Sequence, residues 1–478
     1  MSIAAPILHF GRTRRTAPAL IDGARVITFG ELAVLIRGIA GHLAATGVRR
    51  GERIGLCLKD TPEHLAALLG AALLGAVPVT LDWRAKPAEN ARFIEDLGLA
   101  CVLAEPDTHP GGTCRVIALD AGWHAAVAAA DPFGEPAGHW HDPFVISATS
   151  GSTGAPKFLA MTHAQFYFAI SGMFELMALA GRHRYLSTMP LYYSGGRNSC
   201  LAHLLRGDCV VFYPSLFSAG EYAEVARRHA ITIGGLVPSM VRTLLAGSAA
   251  DKLLPGLHML FCTGAPLHAE EKHQALAKLN PNFCERYGTT ETLAISLLRP
   301  ADFTTRGDSV GQPHSLAQID IVDEADRVLR PGEVGRLRFR GPGLATPLPG
   351  SGANFRDGSY YPGEIAAIDM DGYIFLHGRS SDVIIRSGAK FYPAEIEATL
   401  AAHPCVAEAA VLGVAGAGGE DDVAAFVVVR APVTVGVLLA HCRSSLTPHK
   451  VPRTIQIVDA LPRTTAGKVD KRALGAGP

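Results

Sequence analysis

No CxxC pair occurs anywhere in the 478 residues; the nine cysteines (57, 101, 114, 200, 209, 262, 284, 405 and 442) are scattered. Neither a disulfide framework nor a cysteine zinc site is expected, and thiols spread in this way suit a reducing cytoplasm. An excess of charge of one sign is missing too, since 44 lysines and arginines face 44 aspartates and glutamates. That balance removes the electrostatic ground for a nucleic-acid partner or a polybasic membrane surface. Long hydrophobic runs are absent. The most apolar stretch, Leu65 to Val79, is too short for a bilayer and is broken by Gly70, Gly75 and Pro78. The opening MSIAAPILHFGRTRR places its basic residues after the apolar ones, the reverse of an export signal. Internal repeats and low-complexity tracts are lacking as well.

What is present is a chain that is 48% apolar and only 18% charged, the balance of a well-packed globular protein of two or more domains. Its first third alternates helix and strand. In ALIDGARVITF two apolar runs flank Asp22-Gly23, a hairpin signal. Thr28 to Glu31 has capping-box spacing, and Leu32, Leu35, Ile36, Ile39 and Leu43 follow on one helical face. Then come strand RIGLCL, an apolar helix over Leu65 to Leu74, a glycine stop and core strand AVPVTL. Ser218 to Glu291 repeats the alternation with helix EYAEVARRH, strand ITIGGLV, helix SMVRTLLAG, strand LHMLFCTG and helix LHAEEKHQALAKL. This predicts open α/β sheets covered by helices. After about Pro300, short strands punctuated by glycine and proline predict a small β-rich subdomain. The last hundred residues predict an α+β unit, starting with a strand pair around DVIIRSGAKFY and the helix PAEIEATLAA.

The stretch SATSGSTGAPKF, Ser147 to Phe158, holds five hydroxyl side chains, two glycines and a lysine. Flanking patterns place it between two strands, unlike a Walker loop, which feeds a helix and reads GxxxxGK[ST]. Glycines let backbone N–H groups approach an anion, hydroxyls add donors, and Lys157 adds a cation, so polyphosphate is the expected ligand. A mobile surface loop is the ordinary alternative for such a segment standing alone. Four more segments follow in order: RYGTTET (Arg286–Thr292), YYPGE (Tyr360–Glu364), GRSSDVIIRSGAKFYPAEIE (Gly378–Glu397) and LPRTTAGKVDKRAL (Leu461–Leu474).

Together these five segments resemble the adenylate-forming superfamily of acyl-CoA synthetases, peptide-synthetase adenylation domains and luciferases, over nearly the whole chain. The resemblance implies an α/β protein: a large N-terminal domain over 1–378, a hinge at 379–382 and a small, mobile α+β lid over 383–478. It implies that a carboxylate attacks the α-phosphate of ATP, releases pyrophosphate and forms an acyl-adenylate, after which the acyl group passes to a thiol. A carboxylate is already a nucleophile at neutral pH, so the first step needs charge neutralisation rather than a general base.

By the resemblance, Lys468 is the catalytic cation and Thr149, Ser150, Gly151, Ser152, Thr153, Gly154 and Lys157 form the phosphate loop. Glu291 is the magnesium ligand, a fit for a hard cation that wants carboxylate oxygen. Tyr287 and Gly288 flank the adenine, Thr290 approaches the α-phosphate, and Gly264-Ala265-Pro266 lines the adenine and acyl pockets. Arg379 contacts ribose and phosphate, and Gly388 leaves room for pantetheine. Three positions depart from the family. Phe158 replaces the usual glycine after the lysine. Glu364 stands where an aspartate normally binds the ribose hydroxyls, one methylene longer. Ser381 sits at the hinge beside Asp382, where aspartate or lysine is usual.

MPLYYSGGRNS places Tyr193 at a position usually held by histidine and lacks the aspartate that holds an amino group, which argues against an amino-acid substrate. Tyr193, Arg197, Pro238 and Gly264 are expected around the acyl pocket. An inward Arg197 would meet a second carboxylate or polar tail of the substrate; an outward one is a surface arginine. The resulting expectation is an ATP- and Mg2+-dependent acyl- or aryl-CoA ligase, taking a small carboxylic acid and CoA. A separate carrier protein with a pantetheine arm, or a nucleotide-binding homologue without turnover, are the alternatives.

Overall fold

Helix Pro62–Leu74 has no polar face, with every residue from Leu65 to Leu74 buried, so it must be enclosed on all sides. In the computed structural model it packs on helix Phe29–Ala45 and touches strands of two different sheets. Gly70 permits the approach, because a Cβ there would lie 2.6 Å from Ile39 Cγ2. Gly75, at φ 80°, ends the helix in the left-handed region. The structure describes residues 2–150, 156–214, 216–247, 252–265, 267–386, 389–415, 421–463 and 469–475.

The seven-stranded sheet runs in the order Thr346–Pro347, Pro156–Thr162, Pro143–Ser150, Val77–Thr80, Arg53–Cys57, Cys101–Ala104, Val116–Ala118. The nine-stranded sheet centres on the parallel strands Met259–Cys262, Ile233–Leu236, Arg184–Ser187 and Cys209–Phe212. Its central strands are buried on both faces, which is why they read as unbroken apolar runs rather than alternating ones. Antiparallel strands between Gln318 and Arg379 form a separate sheet with its own core, the expected β-rich subdomain. Beyond it, Val406–Ala415, Asp421–Val429 and Thr454–Ile457 pack with helices Pro393–Ala401 and Val435–Ser445 around a further core.

Local signals survive intact. The Asp22-Gly23 turn joins antiparallel strands Pro18–Asp22 and Arg25–Thr28, with Gly23 at φ 57°. Thr28 and Glu31 form the reciprocal capping box.

Two buried histidines set a limit on acid stability. The Nδ1–H of His64 donates to the carbonyls of Leu58 and Lys59, each at 3.2 Å, leaving Nε2 buried without a partner. Burial, with the charge of Arg197 adding to it, pushes His64 down to about 4, and burial does the same to His163. Both are neutral in the fold but titrate near 6.5 when unfolded, so stability is complete above about pH 6.5 and is lost as pH falls towards 4. Each is expected to remove about 2 kcal/mol at about pH 5, measured by denaturant midpoints. His64→Gln should flatten that pH dependence; an unchanged slope contradicts the assignment.

Candidate active site

Strands Pro143–Ser150 and Pro156–Thr162 pair antiparallel, with Thr149 opposite Lys157 and Ser150 opposite Pro156. The hydroxyl- and glycine-rich segment therefore connects strand to strand, as its flanks indicated. Gly151, Ser152, Thr153 and Gly154 lie outside the described residues, as do the side chains of Thr149 and Ser150. Phe158 explains its own departure from the family pattern. It is buried and meets the edge of Phe93 at 5.5 Å, and its N–H donates to Ser351 Oγ at 2.9 Å. A core anchor thus fixes the strand that leaves the loop.

Strand Phe283–Thr289 carries Tyr287, Gly288 and Thr289, shifts register between Tyr287 and Gly288, and leads into a turn that holds Thr290 and Glu291. Any side chain at Gly288 is excluded, because a Cβ would lie 1.8 Å from the Leu293 carbonyl oxygen. Leu293 itself is held at φ 61°, a strained value for leucine. Glu291 lies in this constrained turn, where its carbonyl accepts the Ala345 N–H at 2.8 Å. The buried phenol of Tyr360 is pushed far up by burial and then by the neighbouring Glu291 carboxylate.

Glu364 is the meeting point of three separated segments. Its Oε2 accepts the Tyr287 hydroxyl at 2.5 Å, and its Oε1 lies 3.9 Å from the guanidinium of Arg379, its cross-strand neighbour. Burial first, and the Glu364 charge second, push the Tyr287 phenol well above the usual tyrosine value, so it stays a donor. A cavity of about 210 Å³ beside this carboxylate is lined by Arg336, Asn354, Tyr361, Gly363, Glu364 and Ser380.

Helix Ser194–Arg206 opens next to the turn, where Ser194 Oγ donates to Thr290 Oγ1 at 3.1 Å. Tyr193 precedes the helix and meets the edge of Tyr192 at 5.4 Å. Pro238 opens helix Pro238–Gly247 and is buried. Gly264 sits at φ 97°, and a Cβ there would touch only Val237 Cγ1 at 3.7 Å. Space therefore exists at Gly264, but the backbone favours glycine. Ala265 is half-buried, and Pro266 lies outside the described residues.

Arg197 points inward and is sealed, with no exposed surface. Its guanidinium donates to Thr80 Oγ1 and Ser147 Oγ, both at 2.7 Å, and to Asn198 Oδ1 at 3.1 Å. All these acceptors are neutral, and burial pushes the arginine down to about 9. It thus ties strands Val77–Thr80 and Pro143–Ser150 to helix Ser194–Arg206 from within the core: it is not the surface arginine of the outward alternative, and, sealed and engaged by these core groups, it does not face a substrate as the inward one expected. Sequence reasoning missed the tie. Ser147 stood at the edge of the loop, and nothing marked Thr80. Asp60 was missed as well; it accepts the Leu191 N–H at 2.6 Å.

At the junction, Ser381 Oγ donates to Asp382 Oδ1 at 2.7 Å, within the short 3-10 turn Ser380–Asp382. Gly388 and Lys468 lie outside the described residues. The flanks of Lys468 are described: Arg463 bridges antiparallel to Val469, and the Asp470 N–H donates to the Pro462 carbonyl at 2.7 Å.

The turn after Tyr287, the Glu364 carboxylate and the opening of helix Ser194–Arg206 lie together in this part of the fold, and comparison with known proteins gives its class. Residues 9–347 match the AMP-binding enzyme family and residues 395–468 its C-terminal domain; the chain belongs to this family. It is 30% identical to a 2-succinylbenzoate–CoA ligase of Bacillus licheniformis, covering 95% of this chain and 96% of that one. It is 29% identical to an indoleacetate–CoA ligase of Aromatoleum aromaticum, covering 94% and 92%. Among solved structures, the o-succinylbenzoate CoA synthetase of Bacillus subtilis with its acyl-adenylate is 25% identical, with a TM-score of 0.88 over 98% of this chain and 97% of that one. The same enzyme is also known in complex with ATP and magnesium.

Lysine at position 197 keeps the charge but not the fork that reaches two hydroxyls. Arg197→Lys is expected to lower unfolding free energy by about 2 kcal/mol in denaturant titrations. A midpoint equal to wild type contradicts the tie.

Proposed function

We propose that this chain, an AMP-forming acid–thiol ligase, activates an aromatic or arylalkyl carboxylic acid and transfers it to CoA. The observation that carries adenylation is the convergence on Glu364, where the Tyr287 hydroxyl and Arg379 meet one carboxylate. The Tyr192–Tyr193 pair beside Thr290 supports an aromatic acid, as do relatives named for succinylbenzoate and indoleacetate.

In this reading adenine lies against Tyr287, Gly288 and the Gly264-Ala265-Pro266 segment, and Glu364 and Arg379 hold the ribose. Residues 149–154, Lys157 and Thr290 surround the phosphates. The carboxylate attacks the α-phosphorus and the bond to pyrophosphate breaks. Lys468 neutralises charge on the α-phosphoryl oxygens as this happens. Tyr193, Pro238 and Gly264 wall the acid, with Arg197 behind the wall. Among the described residues no cluster of three or more His, Cys, Asp or Glu is arranged to hold a metal ion. Magnesium is held by one or two carboxylates together with substrate phosphates, and Glu291 is the carboxylate assigned to it. Bound there, magnesium screens phosphate charge. The thiol then attacks the acyl carbon and AMP leaves, with pantetheine passing Gly388.

We assign residues 1–378 to the adenylating domain, 379–382 with Ser381 and Asp382 to the hinge, and 383–478 to the lid. The separate cores on either side support that division. The nine free thiols support a cytoplasmic setting. No helix among the described residues is long and apolar enough to cross a membrane.

Pyrophosphate release is expected with ATP, magnesium and aromatic acids, weaker with aliphatic acids and absent with amino acids. It should fall by about 100-fold or more in Lys468→Ala. Sustained turnover is expected with CoA; turnover only with a pantetheinylated carrier protein would replace CoA as the acceptor, and release independent of acid would overturn the reading. Tyr287→Phe, which frees Glu364, is expected to raise KM for ATP about threefold or more with kcat little changed. An unchanged KM removes Glu364 from the nucleotide site.

A further inference from the structure

Helix Pro238–Gly247 carries Arg242 one turn past Pro238. Its guanidinium grips Glu271, on helix Ala269–Lys278, at 2.6 and 3.2 Å. Its remaining nitrogen reaches across to Glu408 Oε1 at 2.8 Å, on strand Val406–Ala415 of the C-terminal unit. Glu408 in turn accepts from Arg463 through both oxygens, at 2.7 and 2.8 Å. Arg463 is the residue that bridges to Val469, immediately after Lys468 in the sequence.

The result is a line of alternating charge, Glu271–Arg242–Glu408–Arg463, with no net charge, running from a helix of the large domain to the segment that brackets Lys468. Isolated exposed ion pairs contribute little. Here Glu271 is held by a forked arginine, and Glu271 and Glu408 are each only 18% exposed in their side chains, conditions under which charge-assisted bonds count for more. Nothing in the sequence marked Arg242 or Glu408. The function assigned above does not use either of them.

We propose that Arg242, Glu408 and Arg463 are positioning residues for adenylation: the charge line, with the Arg463–Val469 bridge, holds the described flanks of Lys468 against the helix that opens at Pro238. The proposal rests on the assignment of Lys468 as the cation of the first half-reaction. Transfer from a finished acyl-adenylate needs no cation on the departing pyrophosphate, so it does not require this contact. The line therefore separates the two half-reactions, and a merely structural role does not.

Glu408→Gln preserves shape and removes the charge. With benzoate and indoleacetate as probe acids, single-turnover pyrophosphate release is expected to slow about tenfold. CoA-dependent thioester formation from supplied benzoyl-adenylate should stay within about twofold of wild type. Adding Arg242→Met to Glu408→Gln should cost less than about twofold more, because the charge line is already interrupted at Glu408. Trypsin cleavage after Arg379 in the full-length, ligand-free protein gives a readout free of any substrate, and should accelerate in Glu408→Gln at an unchanged melting temperature.

Equal losses in both half-reactions, or pyrophosphate release in Glu408→Gln at the wild-type rate, overturn the proposal. If the wild type releases no pyrophosphate with these acids while cleavage accelerates in the variant, the contact stands and the aromatic-acid reading fails. If the wild type releases pyrophosphate and the variant matches it, the contact fails alone.

Discussion

The hydrogen bond from Tyr287 to Glu364 joins the nine-stranded sheet to the small antiparallel one, and the candidate site exists because those two sheets meet there. Tyr287 belongs to the strand whose constrained turn carries Thr290 and Glu291. Glu364 pairs across its own sheet with Arg379, the last residue of strand Ile374–Arg379 and the first of the assigned hinge. One carboxylate therefore fixes the distance between the turn and the point where the C-terminal unit departs.

Around that bond the protein places rigid parts. Gly288 sits under a carbonyl that no side chain could tolerate, Leu293 is held in a costly backbone conformation, and Phe158 is driven into the core just beyond the loop. Local strain of this kind persists only where surrounding packing over-determines it. The buried Arg197 belongs to the same design. A charge without a carboxylate partner is expensive to enclose, yet here it is satisfied by the Asn198 amide and by hydroxyls on two neighbouring strands, one of which leads into the loop. Its cost is offset by the fixed geometry of three elements, and its positive charge lies under the part of the fold assigned to phosphate.

Sequence alone made much of this legible. The Asp22-Gly23 hairpin, the Thr28–Glu31 capping box and the enclosed helix ending at Gly75 all rest on local chemistry within a few residues, and all are present. The antiparallel pairing around the glycine-rich segment followed from its flanks. Partners distant in the chain were not legible. Nothing at Thr80 or Ser147 announces a buried arginine 117 or 50 residues away. Whether Arg197 pointed inward was open until its neighbours were known. Glu408 lies in an ordinary strand, and its importance comes from arginines on two elements that meet only in the folded chain. Tyr287 and Glu364 were each picked out as site residues, but their contact was not foreseen. It joins residues 77 positions apart on two different sheets.

Adenylation by this chain requires that a carboxylate oxygen attacks the α-phosphorus of ATP. Turnover of an accepted aromatic acid labelled with 18O in its carboxyl group, in the presence of ATP, magnesium and CoA, tests it directly by mass spectrometry of the products. The attacking oxygen stays with phosphorus when the thiol displaces AMP, so one labelled oxygen in AMP and none in pyrophosphate is the predicted result. Label in pyrophosphate or inorganic phosphate, or ADP in place of AMP, would contradict it.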